Sequence, residues 1–514
     1  MNLHDLFAIP RLRTPSKSAL EFRTGPSAAP RTYSYEALFA AAERLAAGLQ
    51  ARGLQKGERV AFFAGNSPQY VIAWLAVVRF GAVMVPMNTR YRRSELEHIL
   101  GDCTPRFIIT DASLLPLLVD AASGAVHDWL PKSVDKILLT EALHEIEMES
   151  AALHLPIVDG DDLAVIMYTS GTTGPSKGAM LTHNMLLATV TALLAAWDWQ
   201  PSDRLLLVLP LFHVHGLVVG LHCALAAGAT TLLRPAFEAH FTTNELLTGS
   251  ATCFFAVPTI YVRLLDALAA RSRAEIKALS AMRLFCSGSA PLAPETFEAF
   301  RVCTGHTILE RYGMTETGMN LSNPYAGPRV AGSVGLPLPG VSARVVRARD
   351  DATGREDVDM GEVGELLIAG ANVFAGYWNA PEKSANAFET DGAGRHWFRT
   401  GDLARQDPES GYFSLLGRMH DLIISGGFNI YPREIEELLV RYPGIRDAAV
   451  VGVADGVWGE HPEAWIVCTE IPNTNDLDAW CRAHMASFKA PHAFHVVDGL
   501  PRNAMGKVLK HLLR

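Results

Sequence analysis

The sequence predicts an α/β protein: a large N-terminal domain of parallel α/β sheets with a β-rich, distorted-barrel subdomain, then a small α+β C-terminal domain. Three observations predict it. Over the first 160 residues helical and strand-like patterns alternate. Near residue 330 the chain turns to short strands separated by glycines. Near Gly417-Arg418-Met419-His420-Asp421 it changes again, to mixed helices and strands. Strands that alternate with helices argue a parallel sheet covered by those helices. The domain boundary is therefore drawn between 1–417 and 418–514.

Residues 35–53 carry apolar side chains at helical spacing and end on Gly53, so they predict a helix. The apolar run Arg59-Val60-Ala61-Phe62-Phe63 predicts a strand, 70–79 a helix, and Ala82-Val83-Met84-Val85-Pro86 another strand. Further strands are expected at 204–209, 230–233, 252–257 and 283–286. In the subdomain, 342–347 and 364–368 read as strands between Gly-rich turns. In the tail, 432–440 and 476–486 read as helices, and 447–453 and 464–468 as strands.

At 514 residues the chain exceeds one compact core. Its net charge of -9, from 45 basic and 54 acidic side chains, gives no broad basic field, so nucleic acid is not an expected partner. The 7 cysteines are scattered with no C-x-x-C pair, which reads as free thiols in a reducing compartment and excludes a zinc cage. The N-terminus has no long apolar core of a secretory signal, and the apolar stretches at 185–197 and 205–233 are interrupted by polar residues. The expectation is a cytoplasmic protein with no membrane span. Nothing in the sequence specifies an oligomeric state.

Five segments carry chemistry. The first, Thr169-Ser170-Gly171-Thr172-Thr173-Gly174-Pro175-Ser176-Lys177-Gly178, follows an apolar strand at 163–168 and precedes a helix expected to begin near Leu181. Glycines, hydroxyls and a lysine, without an acid among them, make a cradle for phosphate oxygens. It lacks the Gly-Lys-Ser/Thr ending of a Walker A loop. The second, Glu310-Arg311-Tyr312-Gly313-Met314-Thr315-Glu316-Thr317, offers a ring to stack on a base and a carboxylate for Mg2+, though a helix cap explains it equally well. The third, Trp397-Phe398-Arg399-Thr400-Gly401-Asp402, presents an acid after a Gly turn: a ribose ligand or an ordinary Asx turn. Gly426-Gly427-Phe428-Asn429 permits close approach of a ligand, and Pro501-Arg502-Asn503-Ala504-Met505-Gly506-Lys507 places a lysine on a turn. Alone, each of these two has a bland explanation.

Together and in this order, T-S-G-T-T-G-x-x-K-G, Y-G-M-T-E, T-G-D, G-R-x-x-D and P-x-N-x-x-G-K resemble the acyl-adenylate-forming superfamily of acyl-CoA synthetases, peptide-synthetase adenylation domains and beetle luciferases, over essentially the whole chain. The resemblance implies an ATP-dependent acid–thiol ligase with ATP, Mg2+ and coenzyme A. Thr169, Ser170, Gly171, Thr172, Thr173, Gly174 and Lys177 would hold phosphates, and Glu316 the metal. Tyr312 would stack on adenine near Ser289 and Ala290, with Glu310, Gly313, Met314 and Thr315 around the nucleotide. Asp402 and Arg418 would hold the ribose, and Lys507 would lie between carboxylate and α-phosphate. His213 would stand at the acyl pocket, with His215 structural. The small domain would rotate about His420, where relatives carry Asp or Lys, and Gly426, Gly427 and Phe428 would line the CoA channel.

The acid is read from Met282-Arg283-Leu284-Phe285-Cys286-Ser287-Gly288-Ser289-Ala290-Pro291. Alternation puts Arg283, Phe285 and Ser287 on one face. A buried Arg283 needs a partner: a second substrate carboxylate or a structural acid. Arg311 is the other candidate cation. S-G-S-A followed by E-R-Y-G-M-T-E-T is similar to malonyl-CoA synthetases, which implies a short dicarboxylate, malonate or methylmalonate, in a pocket of His213, Val214, Arg283, Ser287, Arg311 and Met314. Alternatives are a medium-chain or aromatic acyl-CoA ligase, or an adenylation enzyme that loads a carrier protein.

Overall fold

The computed structural model describes residues 2–120, 123–149, 152–169, 175–347, 356–425, 428–455, 458–503 and 506–513. Among them the strands form four sheets, of six, nine, five and five strands. The chain is a mixed α/β protein whose two large sheets are mainly parallel, as the strand–helix alternation predicts.

The six-stranded sheet gathers Arg59–Phe63, Val83–Pro86, Phe107–Thr110, Lys136–Leu139, Leu163–Thr169 and Lys177–Thr182. Local chemistry sets its helices. Tyr35–Ala51 starts where Ser34 accepts from the Ala37 N–H. Pro68–Phe80 begins with the Ser67 cap and a proline in its first turn, and stops at Gly81, whose φ of 77° suits only glycine well. Trp74 and Tyr70 on this helix are fully buried.

The nine-stranded sheet runs in the order Leu336–Pro337, Gly318–Ser322, Leu309–Met314, Leu284–Ser287, Cys253–Ala256, Arg204–Leu207, Thr230–Leu233, Ser18–Phe22, Arg31–Ser34. The strands from Leu309–Met314 through Ser18–Phe22 are mutually parallel. Their carboxyl ends, where ligands collect in open α/β sheets, carry Met314, Ser287 and the chain that leads from Leu207 to His213. The β-rich part is an antiparallel sheet of Val341–Val346, Val363–Gly370, Phe388–Thr390, His396–Gln406 and Phe413–Arg418.

The last sheet unites Ile423–Ser425, Phe428–Ile430, Ile445–Asp455, Gly459–Cys468 and Phe494–Val496, covered by helices Pro432–Val440 and Thr474–His484 over a core of Ile423, Ile435, Val450 and Leu477.

One local expectation is corrected. The helix placed near Leu181 begins at His183, because Lys177–Thr182 forms a strand antiparallel to Leu163–Thr169. The two strands that flank the glycine-rich segment, Leu163–Thr169 and Lys177–Thr182, are therefore hairpin partners, and no helix starts directly after it. All seven cysteines are unpaired, five of them buried. Among the described residues no helix is long and apolar enough to cross a membrane.

Candidate active site

The carboxyl ends of both parallel sheets converge on one region. Ser170, Gly171, Thr172, Thr173 and Gly174, expected to cradle phosphates, lie outside the described residues, as do Gly426 and Gly427. The flanks of the phosphate loop are described. Thr169 Oγ1 donates to Glu316 Oε1 at 3.4 Å and to the Lys177 carbonyl at 3.5 Å. The Lys177 ammonium lies 5.2 Å from the centre of the Tyr377 ring, and Tyr377 donates to Glu316 Oε1 at 3.1 Å. Outside the loop, His98 Nε2 contacts the Ser176 carbonyl at 2.8 Å.

Glu316 is buried, and both bonds fall on one of its oxygens. One carboxylate beside a hydroxyl is the donor set of a Mg2+ held chiefly by substrate phosphates and water. No cluster of three metal-ligating side chains forms a protein cage among the described residues. The site thus fits Mg2+ carried in with a nucleotide.

Opposite stands a polar constellation built on the antiparallel sheet. Asp402 and Arg418 are register partners, and the Arg418 guanidinium grips Asp402 Oδ1 at 2.8 Å. The Tyr312 hydroxyl donates to Asp402 Oδ2 at 2.5 Å, which ties the Y-G-M-T-E strand to T-G-D. Desolvation by its surroundings, followed by the Arg418 charge, holds the Lys507 ammonium below the usual lysine range, although the residue keeps an exposed face. Gly506 beside it packs on Thr259, where an added Cβ would lie 3.0 Å from Oγ1. His420 Nε2 lies 3.5 Å from Asp421, and burial draws its pKa down. Phe428 is 55% exposed and stacks on Phe488 at 4.6 Å.

The chain around His213 is largely buried. His213 is enclosed beside Phe212, and burial pulls its pKa down to about 4, so the ring is neutral at pH 7. Val214 is buried. Gly216 lets the His213 turn fold back: a Cβ there would sit 2.2 Å from the Pro210 carbonyl oxygen. His215, expected to be structural, approaches Ser289 Oγ at 3.2 Å; burial first, then the Arg311 charge, lowers its pKa. Ser289 has a φ of 72°, a left-handed conformation that non-glycine residues adopt at a cost and that concentrates at functional sites. Ala290 follows it in the same loop. The Ser287 hydroxyl is buried without a hydrogen-bond partner among the described residues.

The two candidate cations separate clearly. Arg283, expected in the pocket, is placed elsewhere. It precedes the Leu284–Ser287 strand, at the end opposite Ser287. There it grips both oxygens of Asp203, the Nε bond at 2.6 Å, and donates to the Trp197 carbonyl at 2.9 Å. Asp203 is only 2% exposed, so this is a structural ion pair. Side-chain parity alone could not say which end of the strand faces the ligand.

Arg311 stands level with the carboxyl end. Ser287 pairs with Glu310, so Arg311 lies one residue beyond, against Gly288. A Cβ on Gly288 would fall 2.6 Å from Arg311 Cζ and 2.7 Å from Nε and Nη1. Arg311 is 3% exposed, forms no salt bridge among the described residues, and its Nε and Nη2 have no hydrogen-bond partner. A buried guanidinium stays charged and leaves a heavy desolvation cost unless an anion joins it. Its neighbour Glu310 is also buried, accepting from the Leu292 N–H at 3.1 Å, and burial raises its pKa to about 7. Gly313, Met314 and Thr315 continue from this strand into the turn that carries Glu316.

The profile of the AMP-binding enzyme family matches residues 11–378, and that of the AMP-binding enzyme C-terminal domain matches residues 434–507. The mitochondrial malonate–CoA ligase ACSF3 of Mus musculus is 38% identical over 485 residues, spanning 88% of this chain and 80% of that protein. A long-chain-fatty-acid–CoA ligase of Bacillus subtilis is 34% identical over 535 residues, spanning 98% and 92%. The crystal structure of ATP-bound MatB from Rhodopseudomonas palustris is 39% identical and superposes with a TM-score of 0.88, covering 100% of this chain and 98% of that one. The apo form of the same protein gives 0.78.

Proposed function

The chain belongs to the AMP-binding enzyme family, and on that premise we propose that it is an ATP-dependent acid–thiol ligase that activates malonate as an acyl-adenylate and passes the malonyl group to coenzyme A. The observation that carries the substrate reading is Arg311: a buried cation without a carboxylate partner among the described residues, laid against the Ser287-Gly288-Ser289 loop. Relatives named malonate–CoA ligases support the same acid. Methylmalonate is the second acid to try, because Val214, buried next to His213, brings no polar group against a C2 methyl group.

In the first half-reaction a carboxylate oxygen of malonate attacks the α-phosphorus, a P–O bond forms, and pyrophosphate leaves. Two anions meet, so cations dominate the barrier. Lys507 supplies charge at the forming bond, while Lys177 and the loop from Thr169 hold the departing phosphates. Mg2+ at Glu316 would neutralise phosphate charge when bound. Asp402 accepts the ribose hydroxyls and is held in place by Arg418 and Tyr312. The distal carboxylate of malonate takes the two unfilled N–H directions of Arg311, with Ser287 donating its hydroxyl. His213, neutral, closes the pocket against water. In the second half-reaction the CoA sulfur attacks the acyl carbon, a C–S bond forms, and AMP departs.

We further propose that 1–417 and 418–514 move as two bodies about His420, with Gly426, Gly427 and Phe428 lining the pantetheine path after rotation. The better overlay on the ATP-bound than on the apo relative supports an adenylating arrangement here, as does the seat of Gly506 on Thr259. The seven unpaired cysteines support a reducing compartment such as the cytoplasm.

The substrate reading is tested with Arg311→Ala. Turnover of malonate should fall by about two orders of magnitude, as deletion of one partner of a desolvated charge pair costs a few kcal/mol. Turnover of propionate should change little or rise. An equal fall for both acids would refute it.

A further inference from the structure

The segment from Val373-Phe374 onward to Trp378 leaves the antiparallel sheet and crosses to the phosphate-loop hairpin. It is stitched there by backbone bonds: Met180 N–H to the Gly376 carbonyl at 2.9 Å, Ala375 N–H to Met180 at 3.0 Å, and Trp378 N–H to Gly178 at 2.7 Å. Its other end holds the metal-site turn, through the Phe374 N–H to the Glu316 carbonyl at 2.8 Å. Gly376, with a φ of 124°, makes the bend that a side chain would oppose. Gly178 lets the segment close in, since a Cβ there would lie 3.3 Å from Trp378 Cβ and 2.7 Å from Ile166. One strap thus spans two pieces of chain far apart in sequence, the strand leaving the phosphate loop and the turn bearing Glu316.

Tyr377 is the side chain that uses this placement. Its ring faces the Lys177 ammonium at 5.2 Å, and its hydroxyl donates to Glu316 Oε1 at 3.1 Å. Phe374 packs edge-on against the ring, centroids 4.8 Å apart, and fixes its tilt. Thr169 reaches the same oxygen of Glu316, so Oε2 is the atom left toward a cation. Lys177 and Glu316 carry opposite charges, yet no salt bridge joins them among the described residues; the tyrosine stands between the two side chains, giving each a different contact.

We propose that Tyr377 is a positioning residue for the nucleotide–metal complex: its hydroxyl aims the Glu316 carboxylate at Mg2+ while its ring keeps the Lys177 ammonium turned to the phosphates. The proposal rests on the ATP-dependent reading above. Without the hydroxyl, Glu316 loses one of its two described partners and samples more orientations. Without the ring, Lys177 loses its seat and is drawn to Glu316, where pairing would withdraw both groups from the ligand. Partners of this outer kind typically contribute 10–100-fold in metal affinity.

The experiment is calorimetric binding of α,β-methylene-ATP, which cannot transfer its adenylyl group, to the full chain with Mg2+ and with EDTA. Wild type, Tyr377→Phe and Tyr377→Leu are compared. In the wild type Mg2+ tightens binding. Tyr377→Phe, which keeps the ring, should lose roughly tenfold of that Mg2+ enhancement and bind within twofold of wild type in EDTA. Tyr377→Leu should bind several-fold more weakly in EDTA as well, because Lys177 is also released. An unchanged Mg2+ enhancement in Tyr377→Phe overturns the proposal and leaves the ATP reading standing. A wild type that binds no nucleotide overturns the ATP reading itself. Tyr377→Phe is nearly isosteric, so the decisive arm does not depend on whether the leucine variant folds.

Discussion

Gly288→Ala is a sharp probe of the acyl pocket, because it adds one methyl group and removes nothing. Gly288 is not in the left-handed region, so alanine meets no backbone penalty. Its Cβ would fall 2.6 Å from Arg311 Cζ and 2.7 Å from Nε and Nη1. Ordinary carbon contacts begin near about 3.5 Å, so the guanidinium must retreat by roughly an ångström. It cannot do so freely, being 3% exposed in a packed strand. A misplacement of about that size in a bidentate clamp costs roughly 100-fold, or about 2.7 kcal/mol of transition-state binding. Initial rates of CoA-dependent AMP release should show kcat/KM for malonate reduced about 100-fold, with butyrate reduced less than about threefold and KM for ATP nearly unchanged. A uniform loss for malonate and butyrate would mean that the methyl group disturbs the nucleotide loop, and would refute the role of Arg311.

Three further outcomes follow from the geometry. Lys507→Ala should abolish malonate-dependent pyrophosphate exchange and largely spare thioester formation from preformed malonyl-adenylate, as single-turnover assays of each half-reaction will show; equal loss of both would sink the two-body rotation. Arg283→Ala should lower stability by about 3 kcal/mol, since it strands the buried Asp203 carboxylate, and among folded molecules should depress all acids alike in a substrate panel. Glu310, raised to about 7, binds a proton more tightly folded than unfolded, so its contribution is full below pH 4.5 and is lost as pH rises through 7. Glu310→Gln should therefore lose less stability than wild type between pH 5 and pH 9 in urea titrations, by up to about 3 kcal/mol; a steeper loss in the variant would contradict the burial of an uncharged carboxyl.

The fold was largely legible because the periods are clean. Arg59–Phe63 and Val83–Pro86 read as strands of a parallel sheet, and Pro432–Val440 as a helix. Lys177–Thr182 was not legible. Gly178-Ala179-Met180-Leu181 is apolar without a period, and only its pairing with Leu163–Thr169 makes it a strand. Of the candidate site, Glu316, Asp402 and Lys507 stood out through motif order; residues 170–174 stood out in the same way and lie outside the described residues. The choice between Arg283 and Arg311 did not, because both sit beside buried strands; the difference is which end of the sheet each occupies and whether Asp203, 80 residues away, supplies an acid. Tyr377 gave only a Gly-Tyr-Trp signal, which fits a turn as well as a functional ring. Thr259 gave none, since its contact with Gly506 crosses between domains.

Selection of a short dicarboxylate is decided by offering the purified chain ATP, Mg2+ and a panel of malonate, methylmalonate, succinate, propionate, hexanoate and coumarate, with adenylates trapped as hydroxamates. Malonate should give the highest kcat/KM, methylmalonate should follow, and propionate, which lacks the distal carboxylate, should trail malonate by about 100-fold or more. Preference for hexanoate or coumarate over malonate would contradict the claim and return Arg311 to a structural role.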